Sequence, residues 1–353
     1  MTHLKLSICI PTMNRGHIIG ETLASIVPQM SEAVELVIVD GGGKDNTREV
    51  VEQYTAQCDR IRYFQGGGTE FPSNEGFDRD CDRSVIEARG EYCWLFTDDD
   101  YIAPGGIQAV LEEIGDSQID LLLVDSEVRN LSMTKVLDSS RLALSESRDY
   151  RPDERDAFMA DAGQLLTFVG GVVIRRRAWL GRERERYYGI GFLHVCVIFQ
   201  EPSLNRIRIL KEPIAQIRIG NAAWSARAFD IWMDGWPELI WSFSGYSDEA
   251  KRSVVAREPW RASIELLNYR ALASLQPRHL KWLKERGAAR SSRMFARLLL
   301  ALPGEVAHVA LSAMIAVSRM RRSSHAYTLL VATRFSNPLS RVIARINGHR
   351  VEG

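Results

Sequence analysis

No two of the five cysteines are spaced C-x-x-C: Cys9, Cys58, Cys81, Cys93 and Cys196 are scattered and odd in number. That excludes a disulfide framework and a zinc site of the usual spacing, and it suits a reducing compartment. Long apolar runs are missing as well. The nearest approach, Leu298 to Val317, is broken by Pro303, Glu305 and His308, whereas a spanning helix needs about eighteen apolar residues in succession. The first residues lack the charged, apolar and small-residue succession of a secretory leader and enter a strand-like run, LKLSICI. A cytoplasmic location is therefore expected. Net charge is absent overall, since 45 Lys and Arg balance 45 Asp and Glu. No strong field recruits nucleic acid, and no such partner is expected.

What is present is an ordinary globular composition of 353 residues, 45% hydrophobic and 25% charged. Short β-rich runs (Leu6–Ile10, Glu35–Val39, Ile61–Phe64, Tyr92–Phe96, Leu121–Val124) alternate with helical patterns around Ile18–Val27, Thr47–Gln57, Arg79–Ala88 and Gly106–Ile114. Strand and helix in alternation predict an α/β fold, a mostly parallel sheet flanked by helices. A further buried strand is expected over Phe168–Ile174, after a polar stretch, Ser139 to Asp156, with the composition of a mobile loop. From Asp248 onward the pattern is helical. Between Gly287 and Gly353 stand ten arginines, no lysine and only Glu305 and Glu352 as acids. Arginine interleaved with Leu, Ala, Val and Ile predicts a peripheral contact with an anionic membrane surface.

A parallel sheet binds ligands in the crevice beyond the carboxyl ends of its strands. Three segments fall there: Pro11-Thr12-Met13-Asn14-Arg15, the loop from Asp40 to Thr47, and Thr97-Asp98-Asp99-Asp100. A nucleoside diphosphate needs an acceptor for its base, donors for ribose and phosphate, and a hard cation for the pyrophosphate. Asp40 suits the first, Thr12 and Arg15 the second, and the aspartate run the third. Three adjacent carboxylates repel one another unless a cation joins them. Each segment also has a plainer reading. Pro-Thr-x-Asn is a common turn, and Asp45 or Asn46 can simply cap a helix.

The succession SICIPTMNR, VIVDGGGKDNT and ARGEYCWLFTDDD resembles glycosyltransferase family 2, whose members have the Rossmann-like GT-A fold. Within it, GEYCWLF, GGVVIRRRAW and the placing of Arg79 upstream of Gly90 resemble bacterial abequosyltransferases and other O-antigen sugar transferases. The resemblance implies a GT-A domain over residues 1–245, with a nucleotide-sugar half (1–125) and an acceptor half (126–245). A helical, basic region, 246–353, follows it.

The resemblance further implies a metal-dependent transfer of one sugar from a nucleotide-sugar donor to a glycan or lipid-linked glycan, and the basic C-terminal region places that expectation at the inner face of the cell membrane. Pro11, Thr12, Asn14, Arg15, Asp40, Arg79 and Asp98 would bind the donor. Asp99 and Asp100 would hold Mg²⁺ or Mn²⁺. Many relatives place a Glu-Asp pair after a Gly-rich acceptor loop, and none follows Tyr187-Tyr188-Gly189-Ile190-Gly191 here. His194 takes that place as candidate general base, with Glu201 in reserve. Trp224, Trp232 and Trp236 are candidates for stacking on acceptor sugars. The alternatives are a nucleotidyltransferase, or a non-catalytic nucleotide-binding protein at the membrane surface.

Overall fold

The computed structural model describes residues 4–66, 75–115, 118–221, 225–262, 265–318, 323–331, 334–346 and 348. They form two compact units. The first comprises Met1–Glu127, Ser139–Ile217 and Gly245–Ala250; the second comprises Val128–Asp138, Arg218–Ser244 and Lys251–Gly353.

In the first unit the expected alternation is realised. Strands β1 (Leu6–Thr12), β2 (Val34–Asp40), β3 (Ile61–Gln65) and β4 (Tyr92–Leu95) are joined through helices α1 (Ile19–Ile26), α2 (Thr47–Thr55) and α3 (Phe77–Glu87). All four strands run parallel, in the order β3-β2-β1-β4. Every residue of β1 and β2 is buried, as continuous apolar runs in a sheet covered on both faces should be. α1 buries Ile19, Leu23 and Ile26 at helical spacing. Truncating one such residue to alanine costs about 2–5 kcal/mol. Gly90 lets the chain enter β4 hard against β1, since a Cβ there would lie 2.8 Å from the Ser7 nitrogen.

Beyond β4 the sheet changes character and becomes mixed. After β5 (Tyr101–Ile102) and α4 (Gly106–Ile114) comes β6 (Leu121–Arg129), whose end pairs with β7 (Val136–Asp138) in the second unit. β8 (Arg148–Tyr150) lies in the polar stretch expected to be a loop, and it pairs antiparallel with β10 (Ile207–Arg218). Between them in the chain stand α5 (Arg155–Ala162), β9 (Val172–Arg175), α6 (Arg176–Leu180) and α7 (Leu193–Phe199). β9 inserts antiparallel between β4 and β6. It begins at Val172 rather than Phe168 because two 3₁₀ turns precede it, Leu165–Thr167 and Val169–Gly171, the latter within the expected run. The second of them lies close to the sheet, and a Cβ on Gly171 would fall 2.9 Å from the Val124 carbonyl oxygen.

The second unit is helical. A π-helical turn, Asp230–Gly235, leads into α8 (Trp236–Ser242). After α9 (Asp248–Val254) come α10 (Glu265–Ala271), α11 (Arg278–Glu285), α12 (Arg290–Ala301), α13 (Gly304–Ala316), α14 (Ser324–Val331) and α15 (Pro338–Ile346). Its core joins Phe229 and Met233 to Leu266, Leu283, Leu299, Leu311 and Leu330. Residues 225–244 thus pack with the C-terminal helices, ahead of the expected boundary at 245. The cause is apolar matching. Phe229 stacks on His279 with ring centroids 4.0 Å apart and meets Trp282 edge-on. Among the described residues no single helix is long and apolar enough to cross a membrane; α12 and α13 together have the composition, bent by 115° at their break.

Candidate functional site

The parallel register sets Thr12 directly opposite Asp40 at the carboxyl ends of β1 and β2. The chains then stay together, because the Gly41 N–H donates to the Thr12 carbonyl at 2.8 Å. Asp40 is buried and heavily engaged. Its Oδ1 accepts the N–H groups of Gly42 and Gly43 at 3.0 Å each, and its Oδ2 accepts the Tyr63 hydroxyl at 2.6 Å. Burial first, then the neighbouring Asp40, pushes the Tyr63 phenol far above its usual range, so it remains a donor. Gly42 takes the left-handed φ of 85° that this tight turn needs.

The loops after β1 and β2 are stitched to each other. Asn14, itself at a φ of 57°, accepts the Lys44 N–H on its Oδ1 at 2.8 Å. The Arg15 N–H donates to Thr47 Oγ1 at 2.8 Å, and the Gly16 N–H donates to Asp45 Oδ2 at 2.9 Å. Asp45 also accepts the Thr47 N–H, closing a turn just ahead of α2, whose N-cap, Asn46, makes no side-chain cap bond. The plainer readings of Asn14 and Asp45 as loop and turn residues therefore describe these side chains well. The free end of Arg15 goes elsewhere. Its guanidinium lies 3.5 Å from Asp98 and 3.8 Å from Asp99, which brings the third expected segment to the first.

The aspartate run divides. Asp98 is pushed up to about 7 by burial and by Asp99, against the pull of Arg15 and the Thr12 hydroxyl. Asp98 and Asp99 are adjacent carboxylates that share the Arg15 guanidinium, and such crowding disfavours their joint ionisation unless a further cation joins them. Asp100 instead accepts the Thr97 hydroxyl and is almost fully buried. The donor set fits a divalent cation in one respect, that all its atoms are hard oxygens. Among the described residues no group of three or more potential ligands is assembled. Magnesium in particular needs only one or two carboxylates when phosphate and water complete its shell.

Helix α3 supplies what sequence reasoning missed. Its three buried aspartates look in two directions. Asp78 accepts the N–H groups of Gly189 at 2.9 Å, Gly191 at 2.7 Å and Leu193 at 3.3 Å. Asp82 accepts Trp179 Nε1–H at 2.7 Å, Arg184 Nε–H at 2.8 Å and the Tyr188 hydroxyl at 2.5 Å. Together they hold the 179–193 segment. Asp80 faces the donor loops, and a Cβ on Gly41 would fall 2.7 Å from its Oδ2. Its Oδ1 is buried without a hydrogen-bond partner. Burial, Glu75 and Asp40 push the carboxyl up to about 7. The run Asp78-Arg79-Asp80-Cys81-Asp82 was the available signal, since acids at i, i+2 and i+4 of a helix cannot all face water. Arg79 remains half-exposed, 3.4 Å from Glu75, with its guanidinium over the Tyr188 ring.

Two expectations are corrected. His194 is enclosed within α7, its Nε2 bonded to the Leu166 carbonyl at 2.8 Å. Burial drives the ring down to about 4. A base must reach an acceptor hydroxyl, and this imidazole is a neutral core group with no such access. Glu201 is exposed but paired with Arg155 at 3.1 Å. Trp232 and Trp236 do not present their faces as a platform either. They meet edge-to-face, centroids 6.1 Å apart, with Trp236 in the core of the second unit. Trp224 lies outside the described residues.

Residues 7–182 match the model of glycosyl transferase family 2. The chain belongs to that family. As a glycosyltransferase it is similar to abequosyltransferase RfbV of Salmonella typhimurium, with 24% identity over 229 residues, 61% of this chain and 67% of the relative. The GalNAc(5)-diNAcBac-PP-undecaprenol beta-1,3-glucosyltransferase of Campylobacter jejuni is 28% identical over 113 residues, 31% of this chain and 34% of that protein. Among solved structures, S. aureus TarS 1–349 aligns with a TM-score of 0.56 at 17% identity, covering 97% of this chain and 88% of that one. This likeness speaks for the GT-A fold.

Proposed function

We propose that this glycosyltransferase takes its sugar from a nucleoside diphosphate donor bound at the ends of β1, β2 and β4, with a divalent cation, and transfers it to a glycan of surface polysaccharide synthesis. The observation that carries the reading is the convergence of Arg15, Asp98 and Asp99 beside Thr12 and Asp40. Arg15 would turn from the carboxylates to the pyrophosphate. Asp98 and Asp99 would hold Mg²⁺ or Mn²⁺, which neutralises phosphate charge as the leaving group departs. Asp100, held by Thr97, is less well placed for this than Asp98. Pro11 and Asn14 shape the loops, Asp40 stiffens the nucleoside-facing turn and offers a remaining lone pair to the base, and Arg79 stands on the helix that closes this side. TarS has been seen with UDP and with UDP-GlcNAc on the same fold, and RfbV is named for transfer of abequose. Family membership sets the nucleotidyltransferase alternative aside.

The C-terminal helices support placement on an anionic membrane face. Met294 and Leu298 of α12, Leu302 after it, and Leu339, Val342 and Ile346 of α15 are all exposed. Arg293, Arg297, Arg341 and Arg345 stand among them. Apolar side chains would enter the headgroup layer while arginines meet lipid phosphate. A panel of nucleotide sugars, with Mn²⁺ or with chelator, tests the donor reading. Metal-dependent turnover of at least one donor supports it, and equal turnover in chelator removes the cation from it.

A further inference from the structure

The second unit contains a cavity of about 490 Å³, within the usual range of small-molecule sites, about 300–1,000 Å³. Two indoles form part of its wall, Trp241 from α8 and Trp260, together with Glu238, Arg257, Glu258 and Arg286. Trp241 is fixed in orientation, because its Nε1–H donates to the Val255 carbonyl at 3.2 Å. The Arg257 guanidinium rests 5.2 Å from the centre of that ring. Trp260 is steadied edge-on by Trp282, centroids 5.4 Å apart. Its own Nε1 is buried and has no hydrogen-bond partner. An unsatisfied buried donor costs about 1–3 kcal/mol, and this one belongs to a residue of the cavity wall.

Three of the four charged walls are already paired. Arg286 donates to Asp234 at 2.6 Å and also to Glu238, and Arg261 Nε donates to Glu258 at 2.6 Å. Guanidinium and carboxylate are thus equally represented in the lining, which leaves little net charge to recruit a bare anion or cation. What remains is a rigid set of donors and acceptors beside two aromatic surfaces. A pyranose matches both, with hydroxyls for the paired charges and a C–H face for an indole.

We propose that this cavity is a saccharide-binding site that receives a pyranose unit of the acceptor glycan. It is formed by Trp241 and Trp260, not by the Trp232–Trp236 pair. Only the word acceptor rests on the transferase reading; the saccharide chemistry rests on the cavity alone.

The test uses the full chain and the methyl pyranosides of glucose, galactose, mannose, rhamnose and N-acetylglucosamine, followed by saturation-transfer NMR and tryptophan fluorescence. At least one pyranoside should bind. Trp241→Ala should weaken that binding at least about tenfold, and Trp260→Phe, which keeps a ring and removes the N–H, by about fivefold, as loss of one hydrogen bond predicts. Exposed Arg257→Ala serves should Trp260→Phe fold poorly, and it too should weaken binding. Donor hydrolysis without acceptor should stay at the parent rate in every variant. Binding of no pyranoside, or binding indifferent to Trp241→Ala and Arg257→Ala, overturns the proposal. So does inorganic phosphate binding lost in Arg257→Ala while no sugar binds. Sugar binding as described, with no donor hydrolysed by the parent, leaves the cavity standing and removes the transferase assignment of the first unit's loops.

Discussion

The two units invest their polar and apolar groups in opposite ways. In the first, carboxylates are drawn inward: Asp40, Asp78, Asp80, Asp82 and Asp98 are all nearly buried. In the second, large apolar side chains are turned outward, from Met294 on α12 to Ile346 on α15. Buried acids and exposed aliphatics both cost stability in isolation. Their separation into different units is what the proposed functions of the two require, a polar, charged ligand for the first and a lipid surface for the second.

The largest effect expected from breaking this division is at Asp99. Asp99→Asn removes a charge with little change in volume, and transfer should fall by about 10²–10³-fold, the scale seen when a charge-stabilising group is lost from an active site. A rate measurement beside circular dichroism checks that the fold persists. Asp40→Ala comes next. It strips acceptors from Gly42, Gly43 and Tyr63 together, so calorimetry should show nucleoside diphosphate binding weaker by about 1–3 kcal/mol, with a lower melting temperature. On the other side of the comparison, the full chain should sediment with anionic vesicles at low salt and be released as salt rises, since each basic residue near such a surface contributes about 1 kcal/mol. Leu298→Glu with Val342→Glu should remove that sedimentation and leave donor hydrolysis intact.

Much of the first unit was legible in the sequence because its signals are local. A strand ending in Pro11-Thr12, another ending in Asp40 and a third leading to Thr97-Asp98 must place those residues at one sheet edge, whatever lies between. The antiparallel half was less legible. β9 and β8 gain their partners, β4 and β10, from distant parts of the chain, and periodicity carries no information about partners. His194 misled for a related reason: a histidine between Leu193 and Val195 looks the same in sequence whether its ring faces a ligand or the Leu166 carbonyl. Trp232 and Trp236 were correctly spaced to meet, and they meet each other.

Smaller effects sharpen the account through pH. Asp80 holds its proton to about pH 7 in the folded chain but only to about 4 when unfolded. The unfolded state therefore binds fewer protons between these values, and stability from this group falls as pH rises from 4 to 7. Asp80→Asn should flatten that decline in a series of thermal melts. His194 has the opposite slope. Its folded value of about 4 lies below the unfolded one, so its contribution is full above pH 6.5 and lost as pH falls toward 4. His194→Gln should reduce acid sensitivity in that window and lower stability, while turnover stays within a few fold and the rate profile keeps its shape. A turnover loss of a hundredfold without unfolding would return the histidine to the mechanism.

The central claim is that Arg15, Asp98 and Asp99 form a cation-dependent diphosphate site beside Asp40. Titration calorimetry with UDP, GDP, CDP and dTDP, each with Mn²⁺ and with chelator, tests it most directly. The account predicts that at least one diphosphate binds, that chelator weakens it at least about tenfold, and that Asp99→Asn in Mn²⁺ reproduces the chelator value. Affinity in chelator or in Asp99→Asn equal to that of the parent with Mn²⁺, or no diphosphate bound at all, would contradict it.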